Sequence, residues 1–283
     1  MLDELRQQFE LARRNGLEVF FVVDPLNGLN RAEFFGLPAG WGVSFADPRV
    51  RAAYSAFCLR VWEEFRPRSL GLASEINTYA DAHPGDFPHF LSLYREVYER
   101  IKGRAPETRV FVTFQWEDLN NLVSEANEGR TAFRPNWETV EAFEPRLDVW
   151  AISSYPWVAF GGAGEIPDDY YRPLAARTAK PLAVAEGGYT SAPVGPVSGS
   201  ERDQLEYLRA IRSQLGGPRL AFWIYLLLGE LDLGSYAPVM RRQGVSETDV
   251  GTLGFFAHVG LRRRDGTPKP ALALWDSYRR DGR

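Results

Sequence analysis

The chain has 283 residues, 45% of them hydrophobic and 13% aromatic, enough for one large core and within the length at which α/β barrels run as a single domain. A formal net charge of −4 gives no electrostatic reason to bind a polyanion, so nucleic acid is not an expected partner. No apolar run is long enough to cross a membrane, and the single cysteine, Cys58, excludes an intrachain disulfide and reads as a small core residue.

Leu2, Leu5, Phe9 and Ala12 recur at helical spacing, so the chain opens with a charged amphipathic helix rather than a signal peptide, ended by Asn15-Gly16. The run 17–23 (LEVFFVV) predicts a strand buried on both faces, stopped by Asp24-Pro25. A long loop through Trp41 leads to Asp47-Pro48, an N-cap with proline at the first helical position, and to a helix carrying Tyr54, Phe57, Cys58, Val61 and Phe65. The second strand is read from 69–77 (SLGLASEIN), its core at 69–75. A helix over 87–102 follows, with Phe90, Tyr94, Val97 and Ile101 on one face, then a strand at 109–116. Residues 117–144 are polar and irregular, with room for a short helix. Strands follow at 147–155 and 181–189, with a helix at 168–179 between them. A helix at 201–215, a strand at 220–228 and a closing helix at 270–280 complete the chain. This alternation predicts βα units and a parallel sheet of six strands: 17–23, 69–75, 109–115, 147–154, 181–186 and 220–227. The fragment 252–256 (TLGFF) is too short and Gly-flanked to add another.

In parallel α/β folds, functional groups project from the C-terminal ends of strands. Three acids hold such positions: Asp24, Glu75 at the end of Leu70-Gly-Leu-Ala-Ser-Glu75, and Glu186 at the end of Leu182-Ala-Val-Ala-Glu186. A carboxylate where an apolar strand meets a loop needs a partner or a purpose. A salt bridge to an Arg or Lys of the barrel is the structural explanation. The functional one is a catalytic pair, a protonated acid donating to a leaving oxygen and an ionised one attacking an anomeric carbon.

At these residues the sequence resembles clan A glycoside hydrolases, retaining enzymes on (β/α)8 barrels, and within them the endo-β-1,4-galactanase branch. Ser74-Glu75-Ile76-Asn77 is similar to that branch's Asn-Glu-Ile-Asn. The segment from Asp148 to Trp157, with Tyr155, looks like its sixth strand, and Glu186-Gly187-Gly188-Tyr189 like its Glu-Thr-Gly-Tyr. Phe222-Trp223 suits an aromatic platform, and the tail from Asp265 to Ala271 with Trp275 resembles the last turn and helix of many members. The resemblance covers residues 1 to about 280. It implies that Glu75 is the acid/base at the end of strand four and Glu186 the nucleophile at the end of strand seven, with Tyr155 beside it. It also implies that the chain lacks the first two strands of its barrel, which accounts for the helical start and leaves an open apolar edge. Ser74 stands where the family has an asparagine that hydrogen-bonds the sugar 2-hydroxyl, a contact expected to need either a water bridging the shorter Ser74 or help from Asn77.

The expected activity is therefore cleavage of a β-glycosidic bond by double displacement, with the carboxyl groups of Glu75 and Glu186 about 5–5.5 Å apart. The rival expectation is a non-catalytic or degenerate carbohydrate-binding barrel. A lyase or aldolase lacks a strand-end lysine for a Schiff base. Asp24, Ser74, Asn77 and Gln115 are candidates for sugar hydroxyls, and Trp41, Trp116, Trp157 and Trp223 for stacking. His83, His89 and His258 share no metal-ligand spacing, and no phosphate-binding loop or nucleophile elbow is present, so neither metal nor cofactor is expected. Gly161-Gly162-Ala163-Gly164 reads as a flexible loop bordering the site, and Arg262-Arg263-Arg264 as a solvated turn. Without a signal peptide the default compartment is cytoplasmic, or extracellular if the chain is N-terminally truncated. Its oligomeric state is not legible.

Overall fold

The computed structural model describes residues 2–123 and 129–281; residues 124–128, inside the polar stretch 117–144, lie outside the described residues. In chain order the elements are α1 (Leu2–Arg14), β1 (Phe21–Val22), β2 (Leu26–Asn27), β3 (Asn30–Phe34), α2 (Pro48–Phe65), β4 (Ser69–Gly71), α3 (Ile76–Ala82), α4 (Phe87–Lys102), β5 (Arg109–Phe111), β6 (Thr113–Gln115), α5 (Trp116–Leu119) and α6 (Trp137–Glu141). They continue as β7 (Trp150–Ser154), α7 (Arg172–Arg177), β8 (Leu182–Gly187), α8 (Glu201–Leu215), β9 (Leu220–Trp223), α9 (Leu233–Arg242), α10 (Glu247–Gly254) and α11 (Pro270–Asp281). The chain forms two compact units, Met1–Phe114 with Trp137–Val149, and Gln115–Asn136 with Trp150–Arg283.

In the first unit β1, β4 and β5 pair in that order, all parallel, with Phe21 opposite Leu70 and Leu70 opposite Val110. Helix α2 starts where Asp47 accepts the Arg49 N–H at 2.8 Å and Pro48 fills the first helical position, a cap that satisfies one orphan donor of the first turn. Its inner face buries Val50, Tyr54, Cys58, Val61, Trp62 and Phe65, and Arg66 in the left-handed region ends it. The aromatic face of α4 meets Phe143: the Tyr94 and Phe143 rings lie 4.9 Å apart, edge to face.

Three expectations change here. The run 17–23 is not buried on both faces: Leu17 and Val22 are exposed, because β1 has one strand neighbour, β4. The loop before Trp41 contains the antiparallel hairpin β2–β3, turned at Gly28-Leu29 with the Asn27 side chain accepting the Leu29 N–H at 3.0 Å. The second strand does not run to Asn77. It ends before Glu75, whose left-handed backbone (φ 51°) turns the chain directly into α3.

In the second unit β7, β8 and β9 pair in that order, again parallel. Ile152 faces Val184 but Ser153 faces Glu186, so Ala185 is an extra residue on β8. Such a bulge re-aims the side chain that follows it. After Glu186 the glycines are sterically required: a Cβ on Gly187 would lie 2.7 Å from the Ser154 carbonyl oxygen, and one on Gly188 2.7 Å from the Leu226 carbonyl oxygen. Helix α8 is capped by Ser200, which accepts the Asp203 N–H at 3.2 Å, and packs on α11. The segment 252–256, set aside as a strand, begins in α10. The Gly161–Gly164 loop is pinned rather than loose. It makes a 3-10 turn at Ala163–Glu165, Gly161 N–H donates to Glu165 at 3.0 Å, and Ala163 N–H donates to Asp203 of α8 at 2.8 Å.

Candidate functional site

In the first unit the strand-end acids are joined by a residue from the hairpin. Arg31 on β3 donates through Nε to Glu75 Oε2 at 3.0 Å and through a terminal nitrogen to Asp24 Oδ2. All three side chains are largely buried, so the guanidinium balances two carboxylates in a poorly solvated place. Burial pushes the Asp24 carboxyl above its usual range, and the Arg31 charge opposes that rise. The salt bridge weighed for Glu75 therefore exists, with a partner the sequence did not single out. Behind Glu75, its N–H donates to Thr113 Oγ1 at 2.8 Å, and Ser74 Oγ lies 3.2 Å from the same oxygen. Asn77 is buried in the first turn of α3.

In the second unit the Tyr155 hydroxyl donates to Glu186 Oε1, one oxygen of the carboxylate that the Ala185 bulge re-aims. The Tyr155 ring packs against Trp157 at 4.8 Å and against Phe256 at 5.0 Å, edge to face. Trp157 is itself buried and meets Tyr189. A second carboxylate lies close behind. Glu117, the second residue of α5, is fully buried. Its Oε1 accepts from Ser154 Oγ at 2.6 Å and from the Tyr170 hydroxyl at 3.3 Å; its Oε2 accepts from Gln115 Nε2 at 2.8 Å and from the Tyr155 N–H at 3.0 Å. Desolvation raises its carboxyl to about 7, against the pull of these donors.

The stacking candidates divide. Trp116 has no exposed surface and lies parallel to Tyr171, so it is an interior side chain rather than a sugar platform. Trp223 faces α11, its ring 4.8 Å from Trp275 and 6.1 Å from Tyr278. Successive strand residues point to opposite faces, and this one points to the helix layer. Trp41 is half-buried beneath the Arg49 guanidinium. Gln115 caps α5 by accepting the Asp118 N–H while donating to Glu117. Sequence reasoning missed Arg31 and Glu117. An Asn-Gly pair at 27–28 was the available hairpin signal. Glu117 was lost because it opens a stretch whose remainder is polar, although it sits between Trp116 and Leu119. Among the described residues no group of three or more His, Cys, Asp or Glu could hold a metal ion, and no helix is long and apolar enough to cross a membrane.

No protein-family model matches the sequence, and no curated protein matches it. Solved structures do match the fold. The exo-β-1,4-mannosidase of Opitutaceae bacterium strain TAV5 aligns at a TM-score of 0.65 and 15% identity, over 98% of this chain and 49% of that one. A fungal β-1,4-galactanase aligns at 0.61 and 14%, over 98% and 82%. The β-glucuronidase of an uncultured Clostridium sp. aligns at 0.60 and 15%, over 97% and 42%. The chain thus spans less than half the length of the mannosidase and the glucuronidase, and about four fifths of the galactanase. With its parallel βα units matched over nearly their whole extent, the chain shares the (β/α)-barrel fold of these solved structures.

Proposed function

We propose that this chain is a retaining glycoside hydrolase acting on β-linked carbohydrate, with Glu186 as nucleophile and Glu75 as acid/base. The observation that carries this reading is the Tyr155–Glu186 hydrogen bond at the C-terminal end of a parallel strand, on a bulge that aims the carboxylate. A phenol donating to one oxygen holds the carboxylate plane in the orientation that attack on an anomeric carbon requires. Glu75 holds the corresponding strand-end place in the first unit, with Asp24, Ser74 and Asn77 as the polar residues around it and Trp157 and Gln115 as neighbours of the nucleophile's tyrosine and of Glu117. In the first step Glu75 protonates the departing oxygen as Glu186 forms the glycosyl ester. In the second it takes a proton from the water that releases the sugar.

Turnover of 4-nitrophenyl β-galactoside, β-mannoside, β-glucoside and β-glucuronide tests this. Glu186→Gln is expected to abolish release of nitrophenol. Glu75→Ala is expected to regain turnover with azide and to yield a β-glycosyl azide. Retained activity in the first variant, or no azide adduct in the second, removes these roles. A second reading, a barrel that binds carbohydrate without cleaving it, draws on the Arg31–Glu75 ion pair, which gives Glu75 a structural reason to be where it is. Calorimetric binding of an oligosaccharide by wild-type protein that shows no hydrolysis would select it.

A further inference from the structure

Glu117 is a buried acid that the proposed chemistry does not use. It has no exposed surface and, among the described residues, forms no ion pair. A carboxylate with no cation is a costly thing to bury, and evolution has cheaper ways to fill a core. Its hydrogen bonds show what the group does. Four donors converge on its two oxygens, and one is the main-chain N–H of Tyr155, the residue whose hydroxyl holds Glu186. Tyr155 follows β7 directly, where the chain leaves the sheet for a 3-10 turn at Pro156–Val158, so sheet pairing has ended at that amide. Glu117 Oε2 is the acceptor that replaces the lost strand partner.

We propose that Glu117 is a positioning residue: it anchors the main chain of Tyr155, and thereby the phenol that orients Glu186. This rests on the reading of Glu186 as the reacting carboxylate. The groups facing Glu117 are the Tyr155 main chain and Ser154 after and in β7, Tyr170 and Tyr171 before α7, Tyr207 on α8, and Gln115 and Asp118 beside it in the chain. The titratable groups that meet it from other elements are phenols. Ionised Glu117 accepts from all four donors. Protonated Glu117 must donate through one oxygen, and Ser154 Oγ can receive that proton by turning its own towards the Tyr171 hydroxyl, 2.9 Å away. The Tyr155 N–H keeps its acceptor in both states, but the charge beneath it changes, near pH 7 for a group raised to about 7.

The test has two arms. In the first, tyrosine carrying 13C at Cζ is incorporated, and the Tyr155 resonance is assigned with Tyr155→Phe and followed from acid to alkaline pH. The wild type is expected to show a step centred near pH 7 that is absent in Glu117→Gln and persists in Glu186→Gln. Ser154→Ala, which removes a donor that favours the ionised form, is expected to move the step to higher pH. A Tyr155 signal without a step, or a step that survives Glu117→Gln, overturns the proposal. In the second arm, kinetics on the most rapidly cleaved nitrophenyl β-glycoside separate positioning from folding. Glu117→Leu is expected to lower kcat about tenfold or more, the loss of one hydrogen bond to a charged acceptor, with KM unchanged. Glu117→Gln, which keeps a carbonyl acceptor for the Tyr155 N–H, is expected to restore most of that loss. Equal kcat in Glu117→Leu and wild type overturns the proposal. If Glu117→Leu does not fold, the resonance measurements on Glu117→Gln and Ser154→Ala decide it. If the wild type cleaves none of the probes, the glycosidase reading fails, while the resonance arm still reports whether Glu117 governs Tyr155.

Discussion

Two side-chain clusters face the same physical difficulty, a carboxylate away from water, and meet it in opposite ways. Asp24 and Glu75 share the cation of Arg31. Glu117 has only neutral donors. The second solution leaves a mark on stability. The folded-state value of Glu117 is raised from 4.5 to about 7, so its contribution is fully present below the unfolded value and is lost as pH rises through the folded one. A rise of that size corresponds to about 3 kcal/mol at full ionisation, as an upper bound. Relative to Glu117→Gln, the wild type is therefore expected to lose up to about 3 kcal/mol between pH ~4.5 and pH ~8. Urea unfolding of both proteins at the two pH values measures the difference. A gap that does not change with pH would contradict the buried-acid description.

At the scale of the element, the carboxylates depend on how their strands end. Just past β4, Glu75 opens α3 in a left-handed conformation that a glutamate adopts at a cost of about 1–3 kcal/mol, so the surrounding structure must hold it there. The Thr113 hydroxyl that accepts the Glu75 N–H and the Arg31 guanidinium on its side chain do so. Glu186 lies one residue past a bulge and one before Gly187, whose Cα hydrogen faces the Ser154 carbonyl. Gly187→Ala would meet the Tyr207 hydroxyl and the Ser154 carbonyl oxygen, and would force β7 and β8 apart at Glu186, because the second of these is backbone and cannot rotate away. The expected loss is about 2 kcal/mol or more in urea unfolding, together with a fall in activity. A variant within about 0.5 kcal/mol of wild type would show that the strands give way freely.

Across the whole molecule, what the sequence made legible follows from which interactions are local. All six expected strands occur in parallel pairs or at their expected positions, because Val, Ile, Phe and Leu runs between turn residues are themselves the cause of buried parallel strands. Helices α2, α4, α8 and α11 fall close to their expected bounds, since caps and apolar spacing are read within one turn. Glu186 and Tyr155 met as their strand-end places suggested. The rest was set by distant contacts. Nothing near Arg31 says that Asp24 and Glu75 await it. Trp223 looks like a platform until α11, some fifty residues on, is seen covering it. The conformation of Glu75 depends on Thr113, and the burial of Glu117 on tyrosines just before α7 and on α8. The presence and order of the strands were therefore visible in advance, and their ends and the side chains that hold them in place were not.

Cys58, on the inner face of α2, turns this arrangement into a clock. It is the only thiol, has no exposed surface, and burial pushes it up to about 12, so little nucleophilic thiolate exists in the closed first unit. A thiol-reactive dye can therefore add only when α2 lifts from its packing, and the rate of labelling counts those openings in the first unit, with no thiol in the second to add signal. Labelling in native buffer is expected to be slower than in urea by several orders of magnitude, in line with a stable core. Reaction at the rate of a free peptide thiol would mean that α2 is not held. Hydrolysis and labelling followed side by side on heating would then time the loss of the Glu75 unit against the loss of activity.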